Sequence, residues 1–192
     1  MPDRNQAALD FLLTRRSRPA KTLTGPAPDR EALAPILTAA ARSPDHGKLE
    51  PWRFIVLERG ALDRLAELVG ERGKALNEAP EQITKAQSAF ADSPSAVVVV
   101  SSPVPSPKVP EIEQLYSAGA VCLALLNAAL ASGWGANWLT GWASHDRAFL
   151  HDGLGLDDHE TVAGIIHIGT ETSAPTERPR PDVSAIATWV ET

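Results

Sequence analysis

The sequence predicts an α+β fold in which helices flank a mixed central β-sheet. Three observations carry this reading. Most of the chain shows apolar residues at helical spacing. Three short runs rich in β-branched residues, Trp52 to Leu57, Ala96 to Val100 and Val162 to Ile168, read as strands. The helices and strands follow one another without the regular alternation of a parallel βαβ protein.

The elements follow in order. Asp3-Arg4-Asn5-Gln6 offers a helix cap with Gln three residues on. Ala8, Phe11, Leu12 and Arg15 then share one face, which predicts that Arg15 continues the core-facing stripe. Thr22 to Pro28 reads as a linker. Asp29 caps a second helix, which Pro35 should kink or delay. Ser43 to Gly47 is a turn. Trp52 to Leu57 carries apolar residues on both faces, which predicts an internal strand. Ala61 to Asn77 and Glu81 to Phe90 read as helices. Ile112 to Ala131 is a long helix, apolar nearly all round in its second half, and is predicted to be buried. Gly133-Trp134-Gly135 ends it, Asn137 to Gly141 is a short extended piece, and Asp146 to Leu150 a short helix. Val183 to Val190 is a candidate added strand after a Pro-rich stretch, Ala174 to Pro181. The whole chain, 1–192, is expected to form one domain, with an arm from about residue 172.

Composition narrows the function. The chain has 192 residues, 43% hydrophobic and 22% charged, with 18 basic and 24 acidic residues and a net charge of −6. An acidic chain is a poor nonspecific partner for nucleic acid or an anionic membrane. Its one cysteine, Cys122, excludes a disulfide framework and a multi-cysteine zinc site. No apolar run is long enough for a membrane span, and the start does not read as a signal peptide. A cytoplasmic location is expected.

Several chemistries lack their motif. Gly70-Glu71-Arg72-Gly73-Lys74 has neither the spacing nor the hydroxyl of a phosphate loop. Gly133 and Gly135 lack the third glycine of a dinucleotide fingerprint. There is no Gly-x-Ser-x-Gly elbow. His151, Asp157, Asp158, His159 and Glu160 are dense, but without ligand spacing they read as a solvated loop, and no metal site is expected.

Three segments stand out. Arg15-Arg16-Ser17 with Arg18 ends the first helix. A helix-end charge cluster accounts for Arg16 and Arg18. Arg15 on an apolar stripe needs an anion, and a phosphate gripped by guanidinium and hydroxyl is one candidate. The second segment is Arg42-Ser43-Pro44-Asp45-His46, followed by Glu50-Pro51-Trp52. The third is Gly133-Trp134-Gly135 with Trp138-Leu139-Thr140-Gly141-Trp142, either core packing or an aromatic wall beside closely approached backbone.

In this order, the three segments resemble the flavin-dependent nitroreductase family, in particular its short single-domain branch, from about Phe11 to Gly169. The resemblance implies a homodimer with one FMN at each subunit interface. Arg15, Arg16 and Ser17 would hold the FMN phosphate and ribityl chain. Arg42 and His46 would reach the partner subunit's flavin. Trp138, Leu139, Thr140 and Gly141 would line the isoalloxazine ring. Many family members carry Asn in place of His46 and an acidic residue in place of Thr140. Late basic residues often join the phosphate in this family, but no tight motif fixes Arg178 or Arg180, and neither is assigned. The implied activity passes a hydride from NAD(P)H through flavin N5 to a nitroaromatic, quinone or similar planar acceptor, in ping-pong order. No side-chain nucleophile is required. The rival reading is a non-catalytic flavin-binding sensor or storage protein.

Overall fold

The valines at 97–100 fix the middle of the molecule. In the computed structural model, which describes residues 3–191, they lie in a strand, Ser95–Ser101, that is buried along its whole length. In chain order the strands are β1 (Leu23–Thr24), β2 (Trp52–Leu57), β3 (Ser95–Ser101), β4 (Gly135–Leu139) and β5 (Thr161–Glu171). The helices are α1 (Gln6–Thr14), α2 (Arg30–Ala40), α3 (Arg59–Ala75), α4 (Pro80–Ala91) and α5 (Glu111–Ala131).

The sheet runs β2-β3-β5, with β4 and β1 both on the far side of β5. Every pairing is antiparallel, where a mixed sheet was expected. Strand direction follows from how the connections cross the sheet, and composition does not carry that information. Alternation along β3 splits the core in two. Val98 and Val100 pack with Leu62, Leu65, Val69 and Phe90 under α3 and α4. Val97 and Val99 pack with Ile36, Val121, Leu125 and Ile166 under α2 and α5.

β2 corrects one expectation. Among the described residues it is an edge strand, not an internal one. Its apolar residues on both faces report helices above and below. Trp52 and Phe54 face the α2/α5 layer, Ile55 and Leu57 the α3/α4 layer. Coverage of both faces says nothing about a neighbour on both edges.

The helices depart from expectation in detail. α1 is capped by Asn5, whose side chain accepts from the Ala8 amide at 3.1 Å, rather than by Asp3. None of its residues is buried, and Arg15 lies just past its end with extended ψ, not on a core stripe. Asp29 caps α2 as expected, at 2.8 Å from the Ala32 amide. The helix continues through Pro35, because the missing bond strands only the carbonyl of Glu31, an exposed residue. α5 has the length and hydropathy of a membrane-crossing helix. It buries Ala118, Val121, Cys122, Leu125, Leu126 and Ala129 in the core, while Ile112, Leu115, Tyr116 and Leu123 stay exposed, so burial is one-sided. Burial pushes the Cys122 thiol up to about 12, which leaves it an inert packing group.

Gly133 ends α5 with φ of +85°, a conformation that glycine adopts without steric cost. The Gly133 amide donates to Leu130 and the Trp134 amide to Ala129, each at 3.1 Å, and the chain turns straight into β4. The short helix expected at Asp146–Leu150 runs on into a π-helical turn, Phe149–Gly153. The candidate strand Val183–Val190 is instead one helical turn, Val183–Ile186, in an exposed tail. No strand among the described residues pairs with it.

Glu160, read as part of a solvated loop, is buried. It takes a two-pronged grip from Arg53, at 2.7 Å and 2.6 Å, and accepts from the Asp157 amide. Arg53 on β2 thus anchors the start of β5, and it holds the Glu160 carboxyl at about 2. A depressed carboxylate stabilises the fold above its ordinary pKa and loses that contribution as pH falls through its folded value. Glu160→Gln should therefore lower stability at neutral pH by about 1–3 kcal/mol, toward the low end because Arg53 is partly solvated. The wild type should lose the same increment between roughly pH 4.5 and pH 2, and the variant should not. Urea melts across that window test this; parallel pH profiles would show that the pair contributes nothing.

Candidate functional site

Past α1 the chain leaves the helix at Arg15 and runs along β4. The Arg18 amide donates to the Ala136 carbonyl at 2.8 Å, and Asn137 Nδ2 donates back to the Arg18 carbonyl at 2.6 Å. The Arg18 guanidinium pairs with Glu171 on β5 at 2.6 Å. This stitching presents Arg15, Arg16 and Ser17 together. Arg15 Nη2 donates to Ser17 Oγ at 3.0 Å, and the Nε atoms of Arg15 and Arg16 are buried without a partner.

The electrostatics are lopsided. Arg180, from the C-terminal arm, joins the cluster, and Glu177 answers it at 3.1 Å and Arg16 more loosely at 3.8 Å. Four guanidiniums thus face two carboxylates, Glu171 and Glu177. Among the described residues no carboxylate pairs with Arg15. Burial, then the charges of Arg180, Arg16 and Arg18, push its guanidinium below the ordinary value. An anion would relieve that repulsion and take up the unpartnered N–H groups.

β4 leads from this cradle to a cleft. Thr140 follows Ala136 by four residues, roughly 13 Å along an extended chain. Leu139, Thr140, Gly141 and Trp142 line a space of about 260 Å³, closed by Gln82, Lys85 and Phe90 of α4 and by Ile165 and His167 of β5. The wall is mostly apolar with a few polar groups, the character of a small-molecule site. Trp142 lies against Gly73 of α3, and its indole N–H is buried without a partner.

The structure brings Arg15, Arg16 and Ser17 together, and it brings Leu139, Thr140 and Gly141 together. Trp138 points the other way, since strand neighbours alternate. It pairs with Ile166 and lies across Gly164, where a Cβ would collide with the indole. Arg42 is exposed just after α2, and His46 bonds Glu113 of α5 through Nδ1 at 2.8 Å. Neither belongs to the cradle or to the cleft in this chain.

Sequence reasoning missed Arg18 as the stitch, Arg180 as a cradle member, and the α4 wall. A signal for the wall existed. Gln82, Lys85, Ala86 and Ala89 fall at i, i+3, i+4 and i+7, a face carrying polar groups among small residues. No comparable signal marks Arg180, which reaches the cradle only because the arm folds back.

Inorganic phosphate should raise the melting temperature of the protein, because it binds only the folded cradle. Arg15→Ala should weaken phosphate binding about 10- to 100-fold, the worth of one charge-assisted hydrogen bond. Thermal melts over a phosphate series check this; an equal rise in both proteins would remove Arg15 from the site.

Comparison with known proteins identifies the family of the chain. The chain is 33% identical over 183 residues to YdjA of Escherichia coli strain K12, provisionally named an NAD(P)H nitroreductase, covering 95% of this chain and 98% of that protein. It is 37% identical over 164 residues to a Haemophilus influenzae protein with the same provisional name, covering 85% and 88%. A nitroreductase-like protein from Bacillus cereus superimposes with a TM-score of 0.76 over the whole of both chains at 24% identity. A Desulfovibrio desulfuricans protein, solved in complex with FMN, superimposes with a TM-score of 0.74 over 99% of both chains at 22% identity. The pattern that defines the Nitroreductase family matches residues 12–170, from the last turn of α1 almost to the end of β5, which includes Arg15, Arg16, Ser17 and the cleft segment Leu139–Trp142. The chain therefore belongs to the Nitroreductase family.

Proposed function

We propose that the protein is an NAD(P)H-dependent FMN oxidoreductase of nitroreductase type. The observation that carries this is Arg15, a partly buried guanidinium with an unpartnered Nε and, among the described residues, no carboxylate, set at one end of a strand whose other end opens into an apolar cleft. A ligand with a phosphate at one end and a planar ring at the other suits that arrangement. The names of the two similar sequences supply the NAD(P)H and nitroreductase parts of the reading. The FMN-bound relative supports the cofactor.

The residues present fit FMN. Arg15, Arg16 and Ser17 would hold the phosphate, with Arg180 adding charge. Leu139, Thr140 and Gly141 would line the ring. Bound there, FMN supplies hydride acceptance and donation. The protein's contribution is to bind, to orient and to exclude water. Lys85 and Gln82 add polar contacts on the α4 side, and the Trp142 indole offers an N–H. The chain has no dinucleotide fingerprint elsewhere. On this reading electron donor and planar acceptor use this cleft in turn, in ping-pong order.

The protein should purify yellow and release FMN on acid treatment. Initial rates over a grid of NAD(P)H and a nitroaromatic or quinone should give parallel double-reciprocal lines. Intersecting lines would show donor and acceptor bound together, and flavin binding without turnover would favour the sensor reading.

The functional form is a homodimer. α1 buries none of its residues in this chain, yet exposes Leu12 and Leu13 at 57% and 70%. α5 exposes Ile112, Leu115, Tyr116 and Leu123, and the tail exposes Val183, Ile186, Trp189 and Val190. Apolar surface on three separate elements is more than a monomer ordinarily leaves open. In the dimer, Arg42 and His46 would approach the partner's flavin. Light scattering should report twice the 20.4 kDa chain mass; a monomer at micromolar concentration would refute this.

A further inference from the structure

His167 is a buried titratable group that the cradle and ring contacts leave unused. It sits near the middle of β5, opposite Ala96 of β3 and Asn137 of β4, and is 2% exposed. It packs edge-on to Phe90 of α4 and lines the cleft. Its Nδ1 lies 2.8 Å from Ser93 Oγ. Ser93 has one hydroxyl proton and gives it to the Ser95 carbonyl at 3.0 Å. The imidazole must then be the donor to Ser93, which fixes the Nδ1–H tautomer. Nε2 is left as a bare acceptor that bonds nothing among the described residues. Burial pushes the imidazole down to about 4, so the ring is neutral near pH 7 and Nε2 can only accept.

Lys85 and Gln82 of α4 line the same cleft and carry N–H donors, Gln82 with a carbonyl beside its own, Thr140 and Ser144 add hydroxyls, and the Trp142 indole N–H is unpartnered. An acceptor among donors on one apolar wall matches a ring edge that carries an N–H beside a carbonyl. We propose that His167 is a specificity-determining residue of the cleft, its Nε2 accepting a hydrogen bond from the N–H of such an amide-type edge. This rests on the function proposed above. Two occupants share the chemistry: the imide edge of a flavin and the carboxamide of a nicotinamide.

Two binding ratios test this. The first compares FMN with its N3-methylated analogue on flavin-free protein, by fluorescence titration. The second compares NADP+ with its counterpart bearing a carboxylate in place of the carboxamide, on FMN-loaded protein. His167→Phe keeps the packing against Phe90 but has no acceptor, and should lower one of the two ratios by roughly 3- to 10-fold, the worth of one neutral hydrogen bond. The arm that falls identifies the occupant. His167→Gln, which restores a carbonyl acceptor, should recover much of the discrimination; a purely structural role would lower both affinities and leave both ratios alone. Should His167→Phe fail to fold, Ser93→Ala removes the group that fixes the tautomer and should move the same ratio in the same direction. Normal FMN binding by the wild type with both ratios unchanged in the variants overturns this assignment alone. Absence of FMN binding by the wild type overturns the parent function with it.

Discussion

Burial of β5 on both faces is the constraint on which the rest of the structure depends. This strand pairs with β3 along one edge and with β4 and β1 along the other. Its side chains alternate between the two core layers, Ile166 and Ile168 toward α2 and α5, Ile165 toward α3 and α4. A strand so placed cannot shift by one residue without exchanging every buried group for one shaped for the other side. That fixed register sets His167 at the cleft, Gly164 beneath Trp138, and Glu171 where Arg18 can reach it. Arg53 secures the beginning of the same strand through Glu160. The cleft side of the candidate site is thus set on the central strand.

The cradle shows how a cluster of like charges is held in place. Arg18 is neutralised by Glu171 and fastened through its backbone to β4, so it organises rather than binds. Arg16 and Arg180 share Glu177. Among the described residues, Arg15 has the Ser17 hydroxyl for company and no acid. Mutual repulsion among the four guanidiniums costs stability, which an anion bound in the proposed cradle would offset.

The two helices with bare apolar faces belong to the same logic. α1 delivers Arg15 but gains no burial within the chain, so its amphipathic character is unused by the monomer. α5 uses one side for the core and leaves the other apolar and uncovered. The dimer proposed above would cover both faces and bring Arg42 and His46 toward the partner's site.

The sequence by itself determined most of the elements, a central sheet flanked by helices, and the clustering of Arg15, Arg16 and Ser17 just past the first helix. β3, α2, α4 and the end of α5 are legible because valine runs, an Asp cap and a glycine stop act within a few residues of themselves. Arg15, Arg16 and Ser17 are adjacent in the chain, so their convergence needed no tertiary knowledge. Strand direction, the edge position of β2 and the fate of the C-terminal arm were decided by tertiary structure, because each depends on which distant strand lies alongside. The same is true of Glu160, an acid indistinguishable from its loop neighbours until Arg53, 107 positions earlier, closes on it. It is true of Arg180 and His167 as well. Burial and hydrogen-bond partners make these groups chemically distinctive, and both arise from contacts far apart in sequence that no local pattern encodes.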